Sequence, residues 1–136
     1  MGGRGGARAL RVLTLPRSVR VWLAAEPVHM GKQHDGLAAL VKEQFGEDPF
    51  SGNLYVFVGK RRDRCKVLWW EPGGYVVYYK RFDRHRLRLP PVVAGTGRIV
   101  LDGAQLAMLL DGIDLNGVRR PTHWQPRRRI DKRAAM

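Results

Sequence analysis

Leu54-Tyr55-Val56-Phe57-Val58-Gly59-Lys60-Arg61-Arg62-Asp63-Arg64-Cys65-Lys66-Val67-Leu68-Trp69-Trp70-Glu71-Pro72-Gly73-Gly74-Tyr75-Val76-Val77-Tyr78-Tyr79-Lys80-Arg81-Phe82 is the stretch on which the fold turns. It holds three runs rich in β-branched and aromatic residues: Leu54–Gly59, Cys65–Glu71 and Tyr75–Phe82. Such runs read as strands when turn residues bound them. Pro72-Gly73-Gly74 is short enough for a tight hairpin, with glycine free to take a positive φ. Lys60–Arg64 joins the first two runs. The expectation is a three-strand antiparallel meander.

Working outward, Val19, Val21 and Leu23 alternate with Arg20 and Trp22, a short strand signal. Asp35 suits a helix N-cap, Leu37, Leu40, Val41 and Phe45 follow at helical spacing, and Gly46 suits the stop. Downstream, short extended pieces are expected at Arg86–Leu89 and Arg98–Leu101. Asp102 and Gln105 then make a capping-box pair ahead of a Leu106, Leu109, Leu110, Ile113 stripe. The reading is an α+β fold: an antiparallel sheet, meander plus short strands, with two helices packed on one face. Its domain spans residues 19–116, between a Gly/Arg arm at 1–18 and a basic tail at 117–136. Both ends read as flexible basic arms.

The meander also directs the charge. Alternate loops of antiparallel strands lie at opposite ends of the sheet. Lys60, Arg61, Arg62, Arg64 and Lys66 therefore share one end with the segment leaving the third strand, which carries Lys80, Arg81, Arg84, Arg86 and Arg88. Only Asp63 and Asp83 oppose these locally; the rest of residues 21–116 holds Lys32, Lys42 and Arg98 against nine acids. The body should be basic at one end and acidic elsewhere. Arginine binds phosphate oxygens bidentately and is weakly hydrated, so this cluster is the candidate nucleic-acid-binding site. The competing reading is a solvated loop and a charged edge strand that blocks aggregation.

Consecutive strand residues face opposite sides, so one of Trp69/Trp70 and one of Tyr78/Tyr79 must leave a helix-covered face. Rings placed there stack on bases, or fill a core beneath a loop or partner.

The whole chain has 136 residues and 44% hydrophobic content, enough for one domain with a core. Its net charge is +13, from 25 Lys/Arg and 12 Asp/Glu. Residues 1–20 and 117–136 carry +11 of this, which leaves +2 for the middle. A polyanion is the expected partner. A lone cysteine, Cys65, fits a reducing compartment and hence a cytoplasmic location. No apolar run reaches the ~18 residues of a membrane span, and no signal-peptide block follows the first arginines.

Nothing points to an enzyme. His29, His34, His85 and His123 stand apart and no zinc-ligand spacing exists. Phosphate-loop and nucleophile-elbow motifs are missing. Asp35, Glu43, Glu47 and Asp48 read as helix and loop carboxylates rather than a metal set. No cofactor is expected.

Several blocks then match a known family: Leu15-Pro16 with Val21-Trp22-Leu23-Ala24-Ala25; Asp35-Gly36-Leu37-Ala38-Ala39-Leu40-Val41; Asp48-Pro49-Phe50-Ser51-Gly52-Asn53-Leu54; Asp63-Arg64-Cys65-Lys66-Val67-Leu68-Trp69-Trp70; Tyr79-Lys80-Arg81-Phe82; and Gln105–Ile113. In this order the chain resembles the TnpB accessory proteins of bacterial insertion sequences of family sixty-six. Met30-Gly31-Lys32-Gln33-His34-Asp35-Gly36 departs from that family's Met-Arg-Lys and Gly-Phe-Asp-Gly pattern. The resemblance implies a non-catalytic part in transposition beside a separate, larger transposase. The leading expectation is DNA binding by the basic end. A module docking on the transposase and an RNA-binding regulator are the alternatives.

Overall fold

The computed structural model describes residues 15–16, 18–90 and 98–114. Most of both proposed basic arms lies outside these residues. Five strands and two helices follow one another: β1 (Val21–Ala24), α1 (His34–Leu40), β2 (Leu54–Val58), β3 (Arg64–Glu71), β4 (Gly74–Arg81), β5 (Arg98–Leu101) and α2 (Gly103–Leu110). A π-helical turn, Val41–Phe45, continues α1.

The strands form one sheet in the order β4-β3-β2-β1-β5. The meander is antiparallel, with Val58 opposite Cys65 and Arg64 opposite Arg81. Glu71 pairs with Gly74 across the Pro72-Gly73 loop, where Gly73 has φ +104°. β5 is antiparallel to β1, whereas β1 runs parallel to β2, with Val21 opposite Leu54. That one parallel pair departs from the all-antiparallel expectation. It follows from α1, which carries the chain back across the sheet between the two strands.

The class is α+β, as the sequence indicates, but the helices do not share a face. On one side Val21, Leu23, Val56, Val58, Cys65, Val67, Ile99 and Leu101 pack under Leu106, Leu109 and Leu110 of α2. On the other Trp22, Ala24, Tyr55, Phe57 and Leu68 pack under Leu37, Leu40, Val41 and Phe45. The correction has a plain cause. β1 (VWLA) and β2 (LYVFV) are apolar at every position and buried throughout. Strands with two apolar faces need two covers. The strand aromatics divide accordingly: Trp69 and Tyr78 pack on the α2 side, Tyr75 on the α1 side.

Local signals vary in accuracy. Asp102 and Gln105 form the capping box, with Gln105 N–H donating to Asp102 Oδ1 (2.7 Å) and Asp102 N–H to Gln105 Oε1 (2.9 Å). α1 begins one residue before Asp35, which sits in its first turn rather than at the cap. Gly46 ends the helix in the left-handed region, as expected. Residues 86–89 form no strand.

Candidate nucleic-acid interface

β2 and β3 are joined by a tight turn. Gly59 N–H donates to Arg64 O (3.1 Å) and Arg62 N–H to Gly59 O (2.9 Å). Arg62 closes it with φ +62°, a left-handed conformation that costs a non-glycine residue about 1–2 kcal/mol.

The segment after β4 then folds against this turn. Phe82 N–H donates to Asp63 O (2.7 Å) and Leu87 N–H to Arg62 O (2.6 Å). The Arg86 Nη1 group donates to Arg61 O (2.8 Å). Phe82 and Leu87 are buried on the α2 side and hold the segment down. Two basic stretches separated in sequence are thus bonded to one another at one end of the sheet. Lys60, Arg61, Arg62, Arg81, Arg84, Arg86 and Arg88 are exposed there, and Arg64 is half-buried.

Two of the ten candidates stand apart. Lys66 is 3% exposed; its Nζ donates to Lys32 O (2.7 Å) and lies 4.9 Å from the Tyr79 ring centroid. Burial lowers its pKa. Lys80 Nζ donates to Leu110 O (2.6 Å) at the C-terminus of α2, where a cation also complements the helix dipole, and lies 4.9 Å from the Phe82 ring centroid. Both amines serve the fold. Strand alternation sends them to opposite faces of the sheet, where the helices meet it, a placement visible only once each face has its helix.

The local carboxylates also number more than the two expected. Asp63 Oδ1 lies 3.8 Å from Arg64 Nε. Asp114, just beyond α2, approaches Arg88 at 3.9 Å. Such exposed pairs contribute little, about 0–1 kcal/mol.

The cluster has two further neighbours, one read from the sequence only as a member of a pair and one not read at all. Tyr79 is 49% exposed and sits between cations, its hydroxyl 3.5 Å from Arg64 Nη1. Alternation placed one of Tyr78 and Tyr79 outward without saying which. A groove of about 520 Å³ runs between Pro27–Met30 and the turn, with Lys60, Arg61, Asp63 and Arg64 on its other wall. No sequence signal joins these segments; the parallel β1–β2 pairing does.

Cys65 is buried, and burial pushes its thiol up to about 12, only partly offset by Lys80. The neighbouring cations do not make it reactive. Among the described residues no group of three or more His, Cys, Asp or Glu could hold a metal ion. Nor is any described helix long and apolar enough to cross a membrane.

At the opposite end Phe50, Trp70 and Tyr75 form an aromatic cluster, with ring centroids 5.0–5.5 Å apart. Phe50 is 53% exposed. Burial and the carboxylates of Asp48 and Asp35 raise the Tyr75 hydroxyl pKa. The Asp-Pro-Phe-Ser-Gly block is what builds this corner: Asp48 Oδ1 accepts from Phe50 N–H (2.9 Å), and Tyr55 Oη donates to Asp48 O (3.2 Å).

The fold is a mixed sheet covered on both faces with a cluster of exposed cations at one end; the comparison with known sequences supplies the class. Residues 19–120 match the family model described as IS66 Orf2 like protein, and the chain belongs to that family of insertion-sequence accessory proteins. Two relatives come from Sinorhizobium fredii (strain NBRC 101917 / NGR234). The uncharacterized protein y4hO is 38% identical over 111 residues, covering 81% of this chain and 92% of its own. The uncharacterized protein y4jC is 29% identical over 110 residues, with the same coverage. No solved structure matches the chain.

Proposed function

We propose that this chain binds DNA through the basic end of its sheet and acts in the cytoplasm beside the separate transposase of its insertion sequence. The observation that carries the reading is the clip between the turn at 59–63 and the segment at 82–87. It sets the turn carrying Lys60, Arg61 and Arg62 against the segment carrying Arg84 and Arg86, with Arg81 and Arg88 exposed at the segment's two ends. Those groups and Arg64 hold phosphates, and the arms at 1–18 and 117–136 add sequence-independent attraction. Lys66 and Lys80 position the surface from beneath. Residues 19–116 are the working unit, and its task is to hold DNA rather than to catalyse.

The test is retardation of duplex carrying the element's terminal repeats by purified protein at low salt. Absence of any shift ends the proposal. Competition with RNA of equal length separates it from an RNA-binding role, since every phosphate contact above is also available to RNA.

A second reading, docking on the transposase, is favoured by the Phe50–Trp70–Tyr75 cluster with its exposed Phe50. Co-purification of the two proteins that survives nuclease treatment supports it. Association lost with the nucleic acid removes it.

A further inference from the structure

We propose that the groove between Pro27–Met30 and the 59–64 turn receives an unpaired base of the bound DNA. This inference rests on the DNA-binding reading and adds to it a preference for DNA bearing unpaired nucleotides. A nucleotide couples a flat, largely apolar ring to an anion. The groove matches both parts: Pro27, Val28 and Met30 supply apolar wall, and Lys60, Arg61 and Arg64 supply cations along the other side. Its volume, about 520 Å³, lies within the range of roughly 300–1,000 Å³ usual for small-ligand sites. Arg64 joins the groove to the phosphate surface, and its Nε, 3.8 Å from Asp63 Oδ1, is buried and makes no hydrogen bond.

The walls are fixed before any ligand arrives. Val28 N–H donates to Val58 O (2.9 Å), which ties one wall to the end of β2. His29 Nδ1 accepts from Gly31 N–H (3.0 Å), which restrains the ring. Gly59 lets the two walls meet closely, since a Cβ there would stand 2.8 Å from Met30 Cγ. Asp63 repels phosphate but accepts hydrogen bonds from the amino edge of a base. Bases stacked inside a duplex cannot enter such a groove. Extruding a paired base carries the cost of unstacking and unpairing it, whereas an overhanging, already unpaired base enters at the least cost.

The experiment compares wild-type protein on two fluorescent DNAs, a blunt duplex and the same duplex with a short single-stranded overhang, by anisotropy at one salt concentration. The lining holds no Phe, Tyr or Trp, so contact with one base is expected to tighten overhang binding by about fivefold, the low end for base stacking. Pro27→Glu, which puts a carboxylate on an exposed part of the groove wall, is expected to remove that preference, with circular dichroism confirming the fold. Equal wild-type affinity for both DNAs overturns the inference and leaves the duplex reading standing. Binding to neither overturns both. An overhang preference that survives in folded P27E shows that the base lies elsewhere, and it also overturns the inference.

Discussion

Neutralising Arg61, Arg62 and Arg84 together, each to Gln, should flatten the salt dependence of DNA binding by a calculable amount. Each phosphate neutralised on duplex DNA adds about 0.9 to the slope of log K against log salt concentration. All three guanidinium groups are exposed at the clipped end. If each meets one phosphate, the triple variant should lose about 2.7 from the slope. Over a rise from about 50 to 200 mM salt, each contact is worth ~3.5-fold, so the variant's affinity should fall ~40-fold less than wild type's. Lys80→Met is the control. Its amine is bonded to Leu110 O, so its removal should leave the slope unchanged. Anisotropy titrations at four or five salt concentrations read both slopes, and a comparison of slopes cancels the contribution of the terminal arms. An unchanged slope in the triple variant, or a loss in the Lys80→Met protein equal to that of one arginine, would refute the assignment of these cations.

Arg62→Gly should relieve the left-handed strain at φ +62°, holding or raising stability by up to about 1 kcal/mol in denaturant unfolding while removing ~0.9 from the salt slope. Lys66→Met should leave the protein at least as stable at pH 7, because burial disfavours the charged amine. The folded-state pKa of Lys66 is lowered, so the unfolded chain binds the proton more tightly between that value and 10.5. Stability therefore rises with pH across that window in wild type, and thermal melts of K66M should lack this part of the rise. Cys65, with its thiol pushed up to about 12 inside the core, should resist thiol reagents at pH 8 until denaturant is added.

The meander, the capping box and the convergence of two cationic stretches were legible because each depends on short-range signals: strand runs, turn residues and an alternation of loops. The side of the sheet taken by each helix was not read, although the signal lay in the uninterrupted apolar run Leu54–Val58. A strand without polar alternation announces two covers, and that cue was available. The parallel β1–β2 pairing also had a cue, since a helix between two strands carries the chain back to start the second in the same direction; only its register is set by packing. Lys66 and Lys80 show the limit for the candidate site. In sequence they continue the basic clusters, yet their strand positions turn them under the helices, toward backbone carbonyls at Lys32 and Leu110. The groove was invisible for a related reason: Met30 and Gly59 meet only through tertiary contact.

The sheet order has a consequence for how the chain can be made or cut. β1, near the start, is flanked on one side by β5, which is supplied by residues 98–101. A ribosome can release the β2–β4 meander early, but β1 keeps an open edge until β5 emerges. Without α2, Val21, Leu23, Val56 and Val67 would face water. A copy of the element interrupted after residue 90 would therefore yield a sticky, protease-prone fragment rather than a smaller working protein.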